Sequence, residues 1–383
     1  MSRSELHIAL CTDGVFPQAM GGMQRHSRLL AEELARTPGV RLTVIHPHTA
    51  PIFDAGLGIT EVSIAPIDPS RFYLRELWRY SERVAAVLDR ISPDVVFSQG
   101  YSLWSGIERF SARLIVHPHG LEMFQGITLR DQLIGAPFRF TLRHILRRAA
   151  VCISLGGRLT PILQRQVRGS STRVVTIPNA VHVPDVMPAY PVDNGPMRLL
   201  FVGRFAFNKG LDLLVSVARR LVPEGKGELV RFQLAGDGPL LAELKAAGLP
   251  ANVELLGKID DEGLFRAYQH CHALVLPTRF EGMPTVVLEA MAHARPVIVS
   301  DVGATAELVD RSNGRLLPKG DAEALYQAVL ELAALPAAAR AGLGRVAWER
   351  ARENYTWPTV AARTVALAQE LHQQVKDRGA QRE

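Results

Sequence analysis

Two carboxylates, Glu281 and Glu289, are separated by seven residues that begin Gly282-Met283-Pro284-Thr285-Val286. A carboxylate only accepts hydrogen bonds, so one such group can hold two vicinal hydroxyls, as on a ribose or another sugar. A Gly-Met-Pro turn and a helix start lie between the two. Thr285 and Val286 fall where backbone N–H groups lack intrahelical partners and can meet an anion. Either glutamate alone reads as an ordinary solvent-facing residue; the segment as a unit does not. A second constellation is VGRFAFNKG (202–210), which puts Arg204 and Lys209 in one loop ahead of a helix near Leu211. Arginine forks across two oxygens and lysine adds a point charge, a combination that suits a diphosphate. The spacing is not that of a Walker A loop, and the plain alternative is a solvated basic loop.

A third segment runs His117-Pro118-His119-Gly120-Leu121-Glu122. Two histidines and a carboxylate raise the question of a metal. Neighbours in an extended strand point to opposite faces, and no other ligand cluster accompanies them, so no metal is expected. The competing reading for either ring is a satisfied loop histidine. Gly21-Gly22, four residues before His26 at the entry to a helix, would let a ligand approach the backbone. A plain strand-to-helix turn competes with that reading. AGDGP (235–239) hints at a dinucleotide fingerprint, but its third glycine and later acid are not in place; it reads as a tight turn.

These segments need elements to hold them. Short apolar runs alternate with amphipathic stretches, the pattern of parallel sheets layered with helices. Strands are expected over 6–12, 41–47, 94–100, 112–120, 149–155 and 173–179, and again over 197–204, 230–236, 252–258, 272–278 and 295–301. Most candidate residues follow one of these strands, the edge where open α/β sheets bind ligands. Residues 183–196 carry four prolines and no periodicity, and read as a linker. The expected division is a first domain over 1–183, a linker over 184–196, a second domain over 197–357, and a final helix and tail over 358–383.

The 383 residues suit two domains. With 47% hydrophobic and 21% charged residues, a disordered or fibrous chain is excluded. No apolar run approaches the about 18 residues that span a bilayer, and Asp13 arrives too early for a signal peptide. Three distant cysteines, Cys11, Cys152 and Cys271, suggest neither a disulfide framework nor a metal motif. A cytoplasmic setting is expected. Residues 1–190 hold 21 arginines, no lysine and 15 acids, the whole excess of the chain's +6. The expected partner of that excess is an anionic membrane surface rather than nucleic acid; an arginine-rich composition alone is the competing account. Within 138–148, Arg139, Arg143, Arg147 and Arg148 would form a basic stripe beside Leu142, Ile145 and Leu146. The alternative is a core-packed helix with a solvated arginine face.

The pair Glu281 and Glu289 with its intervening GMPTVVL resembles the signature of the family 4 retaining glycosyltransferases of GT-B fold. VGRFAFNKG resembles that family's diphosphate loop, GGMQRH its N-terminal glycine loop and HPHGLE its histidine loop. AGDGP, VELLGK and LPTRFEG follow in the family's order. The resemblance covers nearly the whole chain and is most specific over 197–310. It implies two Rossmann-like domains facing across a cleft, with the C-terminal helix returning to the N-terminal domain. It implies transfer of a sugar from a UDP- or GDP-linked donor to an acceptor hydroxyl, without a metal or cofactor, on a glycan or lipid-linked acceptor of a bacterial surface polysaccharide or glycolipid. Under the resemblance Glu289 binds the ribose and Glu281 contacts the transferred sugar or its phosphate. Arg204 and Lys209 neutralise the diphosphate, and His119 contacts the donor sugar. Gly21, Gly22, Gly282, Met283, Pro284, Thr285 and Val286 shape the donor pocket. The sequence departs from the family at Ala180, His182 and Glu122. The alternatives are a sugar-nucleotide epimerase of related architecture and a non-catalytic nucleotide-sugar-binding subunit.

Overall fold

The computed structural model describes residues 5–68, 70–124, 129–192 and 195–381. The chain forms two compact units, one of residues 1–179 and 357–383, the other of residues 180–356. In the first unit β1 (Leu6–Cys11), β2 (Val40–His46), β3 (Thr60–Ser63), β4 (Val95–Gln99), β5 (Leu114–His117), β6 (Val151–Ser154) and β7 (Arg173–Thr176) form one sheet. Its order is β3-β2-β1-β4-β5-β6-β7, all parallel. Helices α1 (Gly22–Arg36), α2 (Tyr73–Ile91), α3 (Leu129–Leu146) and α4 (Leu159–Val167) connect the strands. All six residues of β1 are buried. A central parallel strand is covered on both faces, which is why it reads as an unbroken apolar run rather than an alternation. The polar member, His7, is accommodated because Nε2 meets Thr43 Oγ1 at 2.9 Å and its backbone N–H donates to Asp94.

The second unit holds β8 (Met197–Val202), β9 (Val230–Ala235), β10 (Val253–Gly257), β11 (Ala273–Leu276), β12 (Val297–Ser300) and β13 (Gly314–Leu317). Its order is β10-β9-β8-β11-β12-β13, again all parallel. The helices are α5 (Leu211–Leu221), α6 (Leu241–Ala246), α7 (Asp261–His270), α8 (Thr285–Ala292), α9 (Thr305–Leu308), α10 (Ala322–Ala334) and α11 (Ala337–Asn354). Asp260 starts α7 by accepting from the Gly263 N–H, and Asp321 does the same for α10 from Ala324. The last helix, α12 (Trp357–Ala380), belongs to the first unit and packs on α1.

Strand order reverses at β1/β4 in the first sheet and at β8/β11 in the second. Such switch points open a crevice beyond the carboxyl ends of the strands, where ligands bind. The loops after β1, β5, β8 and β11 carry Gly21 and Gly22, His119, Arg204 and Lys209, and Glu281 respectively.

The segment expected as a linker is packed. Tyr190 donates its hydroxyl to His272 O at 2.9 Å, and the buried Arg295 donates to Ala189 O at 2.9 Å. The chain passes between units at 179/180, just ahead of this segment. The three cysteines are buried and free, their thiols pushed up by burial. No helix among the described residues is long and apolar enough to cross a membrane.

Candidate functional site

After β8 the chain makes a short 3₁₀ turn, Phe207–Lys209, closed by Gly210 at φ 70°. A Cβ on Gly210 would lie 1.9 Å from Pro277 O, so this backbone crossing admits no side chain. The segment after β11 locks the same turn from the other side. Thr278 Oγ1 donates to Asn208 O at 2.9 Å, and the Arg279 N–H donates to the same carbonyl at 2.8 Å. The Arg279 guanidinium forks onto Asp212 at 2.6 and 2.7 Å and lies over the Phe207 ring. Lys209 Nζ then donates to Glu281 Oε1 at 2.6 Å. Glu281 is buried at 8% exposure, so the pair is held in a partly desolvated setting rather than on an open surface. Arg204 is exposed, and its guanidinium has no ion pair or hydrogen bond among the described residues.

Met283 and Pro284 are buried, Gly282 and Val286 half-buried, and Thr285 is exposed at the start of α8. The first N–H to turn back is that of Val287, onto Pro284 O at 3.1 Å, so those of Thr285 and Val286 precede the helical ladder. Glu289 is half-buried and accepts at 2.9 Å from the hydroxyl of Tyr268, a residue the sequence reading did not single out. Burial, and then the nearby Glu289 carboxylate, hold that hydroxyl well above the usual range, so it stays a donor. His293 stacks on the Tyr268 ring at 5.0 Å. Arg295 donates to the carbonyls of Tyr268 and Gln269 at 2.8 Å and fixes the end of α7 from which Tyr268 projects.

In the first unit, Gly21 stands at φ 153° ahead of α1, and a Cβ on Gly22 would meet nothing within 4 Å. The protein's own packing does not require glycine at position 22. His119 takes the left-handed region at φ 59°, which is uncommon for a residue with a side chain. Its backbone N–H donates to His117 Nδ1 at 3.0 Å, and the two rings stack at 3.9 Å. His119 Nε2 lies 2.8 Å from Gln99 Oε1, which can only accept. Ser27 Oγ donates to the same Gln99 oxygen at 2.8 Å. His26 meets His119 edge-on at 4.9 Å and Trp357 at 5.5 Å. Burial lowers His26 to about 4 and takes His117 and His119 well below the ordinary imidazole value. With His117 Nδ1 and His119 Nε2 already engaged, the two rings do not present a shared ligand pair. Glu122 begins a short turn, and its side chain lies outside the described residues.

Residues 196–334 match the family described as glycosyl transferases group 1, and residues 20–183 match glycosyltransferase family 4. The chain is 30% identical over 286 residues to the lipopolysaccharide core biosynthesis mannosyltransferase LpcC of Rhizobium leguminosarum bv. viciae, spanning 69% of this chain and 80% of that protein. The chain belongs to the group 1, family 4 glycosyltransferases. Other curated matches are partial: the chain spans about half the length of one, at 53%, and 37% of two more. Two solved structures carry the same fold. Sucrose-phosphate synthase from Thermosynechococcus elongatus gives a TM-score of 0.78 at 22% identity, over 96% of this chain and 99% of that one. Anabaena HepE in complex with UDP-glucose gives 0.66 at 16% identity, over 97% and 100%.

In this family member the basic stripe expected within 138–148 is not a free face. Arg139 donates to Met123 O, Arg147 to Arg168 O and Gly169 O, and Arg148 pairs with Glu108. Leu142, Ile145 and Leu146 are in the core. Arg143 alone of the four is exposed and has no such partner among the described residues.

Proposed function

We propose that the protein transfers a hexosyl group from a nucleoside-diphosphate sugar to an acceptor hydroxyl, with retention of anomeric configuration. The observation that carries this reading is the Lys209–Glu281 pair at the β8/β11 switch point, with Arg204 unpaired in the same loop. An ammonium has three N–H donors, so Lys209 can hold Glu281 and still donate to a phosphate oxygen. Arg204 adds a second cation, and the N–H groups of Thr285 and Val286 add dipoles. As the anomeric C–O bond breaks, charge grows on the leaving diphosphate, and fixed donors already aimed there stabilise it. Those cations do the work a divalent ion would do, so turnover should need no metal. Glu289, oriented by Tyr268, accepts from the ribose hydroxyls. Glu281 and His119 contact the sugar, while Gly21, Gly22, Gly282, Met283 and Pro284 line its pocket. The acceptor oxygen attacks from the face the diphosphate leaves, and the leaving phosphate takes its proton.

HepE, of the same fold, has been solved with UDP-glucose, and LpcC is by its name a lipopolysaccharide core mannosyltransferase. The first supports a nucleotide-sugar donor, and the second an acceptor on a bacterial surface glycan or glycolipid. A panel of UDP- and GDP-hexoses, followed by proton NMR of the released or transferred sugar, tests the reading. One donor should be consumed, with the initial product keeping the donor's anomeric configuration. An inverted initial product would overturn retention, and consumption of none would overturn the reaction.

A further inference from the structure

Among the described residues, three other than glycine stand at positive φ: Ser92, His119 and Ala294. Two of them have an ordinary reason. Ser92 caps the end of α2, and Ala294 follows the residue that caps the end of α8. A left-handed residue is a common way to stop a helix. His119 ends no helix. It stands at φ 59°, two residues past the end of β5, with a β-carbon that disfavours this conformation. Backbone in such a region persists only where its surroundings impose it, and it is found most often where ligands bind. At this position the surroundings are supplied by His117.

β5 is apolar over Leu114, Ile115 and Val116 and then closes on a histidine that is 1% exposed. A polar ring is costly to bury unless its nitrogens are used. His117 Nε2 has no partner among the described residues, so the ring's use lies at Nδ1. A backbone N–H can only donate, and that of His119 donates to Nδ1 at 3.0 Å. A side-chain acceptor on one residue that takes the N–H two residues on is the device by which Asn and Asp close a turn on their own backbone. The imidazole of His117 does the same for His119. The two rings then lie nearly parallel, 3.9 Å apart at 26°. Two further buried groups meet the His119 ring. Gln99, the register partner of His117 across β4 and β5, lies 2.8 Å from Nε2, and His26 meets the ring edge-on at 4.9 Å. Trp357, itself buried at the start of α12, backs His26 at 5.5 Å. The ring is thus held from three sides, and its backbone from one.

We propose that His117 is a positioning residue: through Nδ1 it holds the backbone of His119 in the left-handed region and so fixes where His119 meets the donor sugar. The proposal rests on the reading of His119 as a donor contact given above, so one arm of its test needs no turnover. Two uncharged variants separate the two nitrogens of the ring. The side-chain oxygen of asparagine stands where Nδ1 stands, and that of glutamine stands near Nε2. In crystal structures, His117→Asn should keep residue 119 at positive φ. His117→Gln should release it to extended backbone and part its ring from Gln99. In donor hydrolysis, His117→Asn should keep kcat within about threefold of the parent, and His117→Gln should lose at least about tenfold, because small misplacements near the reacting atoms are costly. Affinity for free UDP or GDP should be the parent's in both, since under the proposed function the nucleotide's contacts lie in the second unit. A residue that only fills space would leave the two variants alike. Should His117→Gln fail to fold, His117→Leu, which also lacks the acceptor, takes its place in both comparisons. Residue 119 left-handed without the acceptor overturns the proposal, as does an equal kcat for the two variants of an active parent. The predicted difference in φ with a parent that consumes no donor would leave His117 as the residue that sets His119 and remove the catalytic reading.

Discussion

Lys209 and Glu281 cancel each other's charge at 2.6 Å, so the approach of a diphosphate changes the balance of the pair rather than meeting a bare cation. Under the proposed function, Glu281 holds the ammonium in place before the donor arrives, and that preorganisation would make the lysine effective in the transition state. Lys209→Ala should lower the transfer rate by about 10²–10³, the cost of about 3–4 kcal/mol for one lost transition-state contact. Thermal melting of the same variant separates lost chemistry from lost folding, because the change also leaves the buried Glu281 unpaired. A variant that folds and turns over like the parent would make Lys209 a structural partner of Glu281 only. The residues that orient this chemistry were the least visible from the sequence. Gln99 meets the His119 ring from 20 positions away, and Tyr268 meets Glu289 from 21 positions away. Neither pairing leaves a local pattern, since the partners sit on different strands and helices.

The elements that carry the site divide by their place in the sheets. β1 and β8 lie at the centre, and continuous apolar runs flanked by turn residues made them readable. β3 and β13 were missed. Both are four-residue edge strands, TEVS and GRLL, with half-exposed middles, so burial placed no apolar pattern on them. The proline-rich stretch before β8 was read as a linker because it lacks periodicity, yet Arg295 and Tyr190 bind its backbone and ring to the second unit. Prolines report the absence of helix and strand, not the absence of packing. The loop between β8 and α5 shows the opposite case, where geometry can be tested directly. Gly210→Ala forces a Cβ into Pro277 O in a left-handed residue. It should destabilise the second unit by more than about 1 kcal/mol, read as a lower denaturant midpoint, and displace Lys209 enough to slow donor hydrolysis. An unchanged midpoint and rate would show that this crossing is not required.

At the scale of the molecule, the first unit buries neutral histidines beside its ligand edge. Unfolded, His26 takes up a proton near pH 6.5; folded, it resists until about 4. Between those values the unfolded state binds more protons, so stability is full above about pH 6.5 and falls as pH drops. The loss from His26 alone reaches about 3 kcal/mol by pH 4. His117 and His119, depressed for the same reason, act in the same direction. Urea midpoints measured from pH 7.5 to 4.5 should fall accordingly, and less steeply in His26→Gln; a flat profile would place these rings in contact with water. Under the proposed function, the second unit binds a nucleoside diphosphate through fixed cations and a ribose-directed carboxylate, without a metal. Calorimetric titration of the 383-residue chain with UDP and GDP, with and without EDTA, tests it most directly. One nucleotide should bind equally well in both buffers, and Glu289→Ala should weaken that binding by about 1–3 kcal/mol. Binding of neither nucleotide, binding abolished by EDTA and restored by Mg²⁺, or undiminished affinity in Glu289→Ala would contradict it.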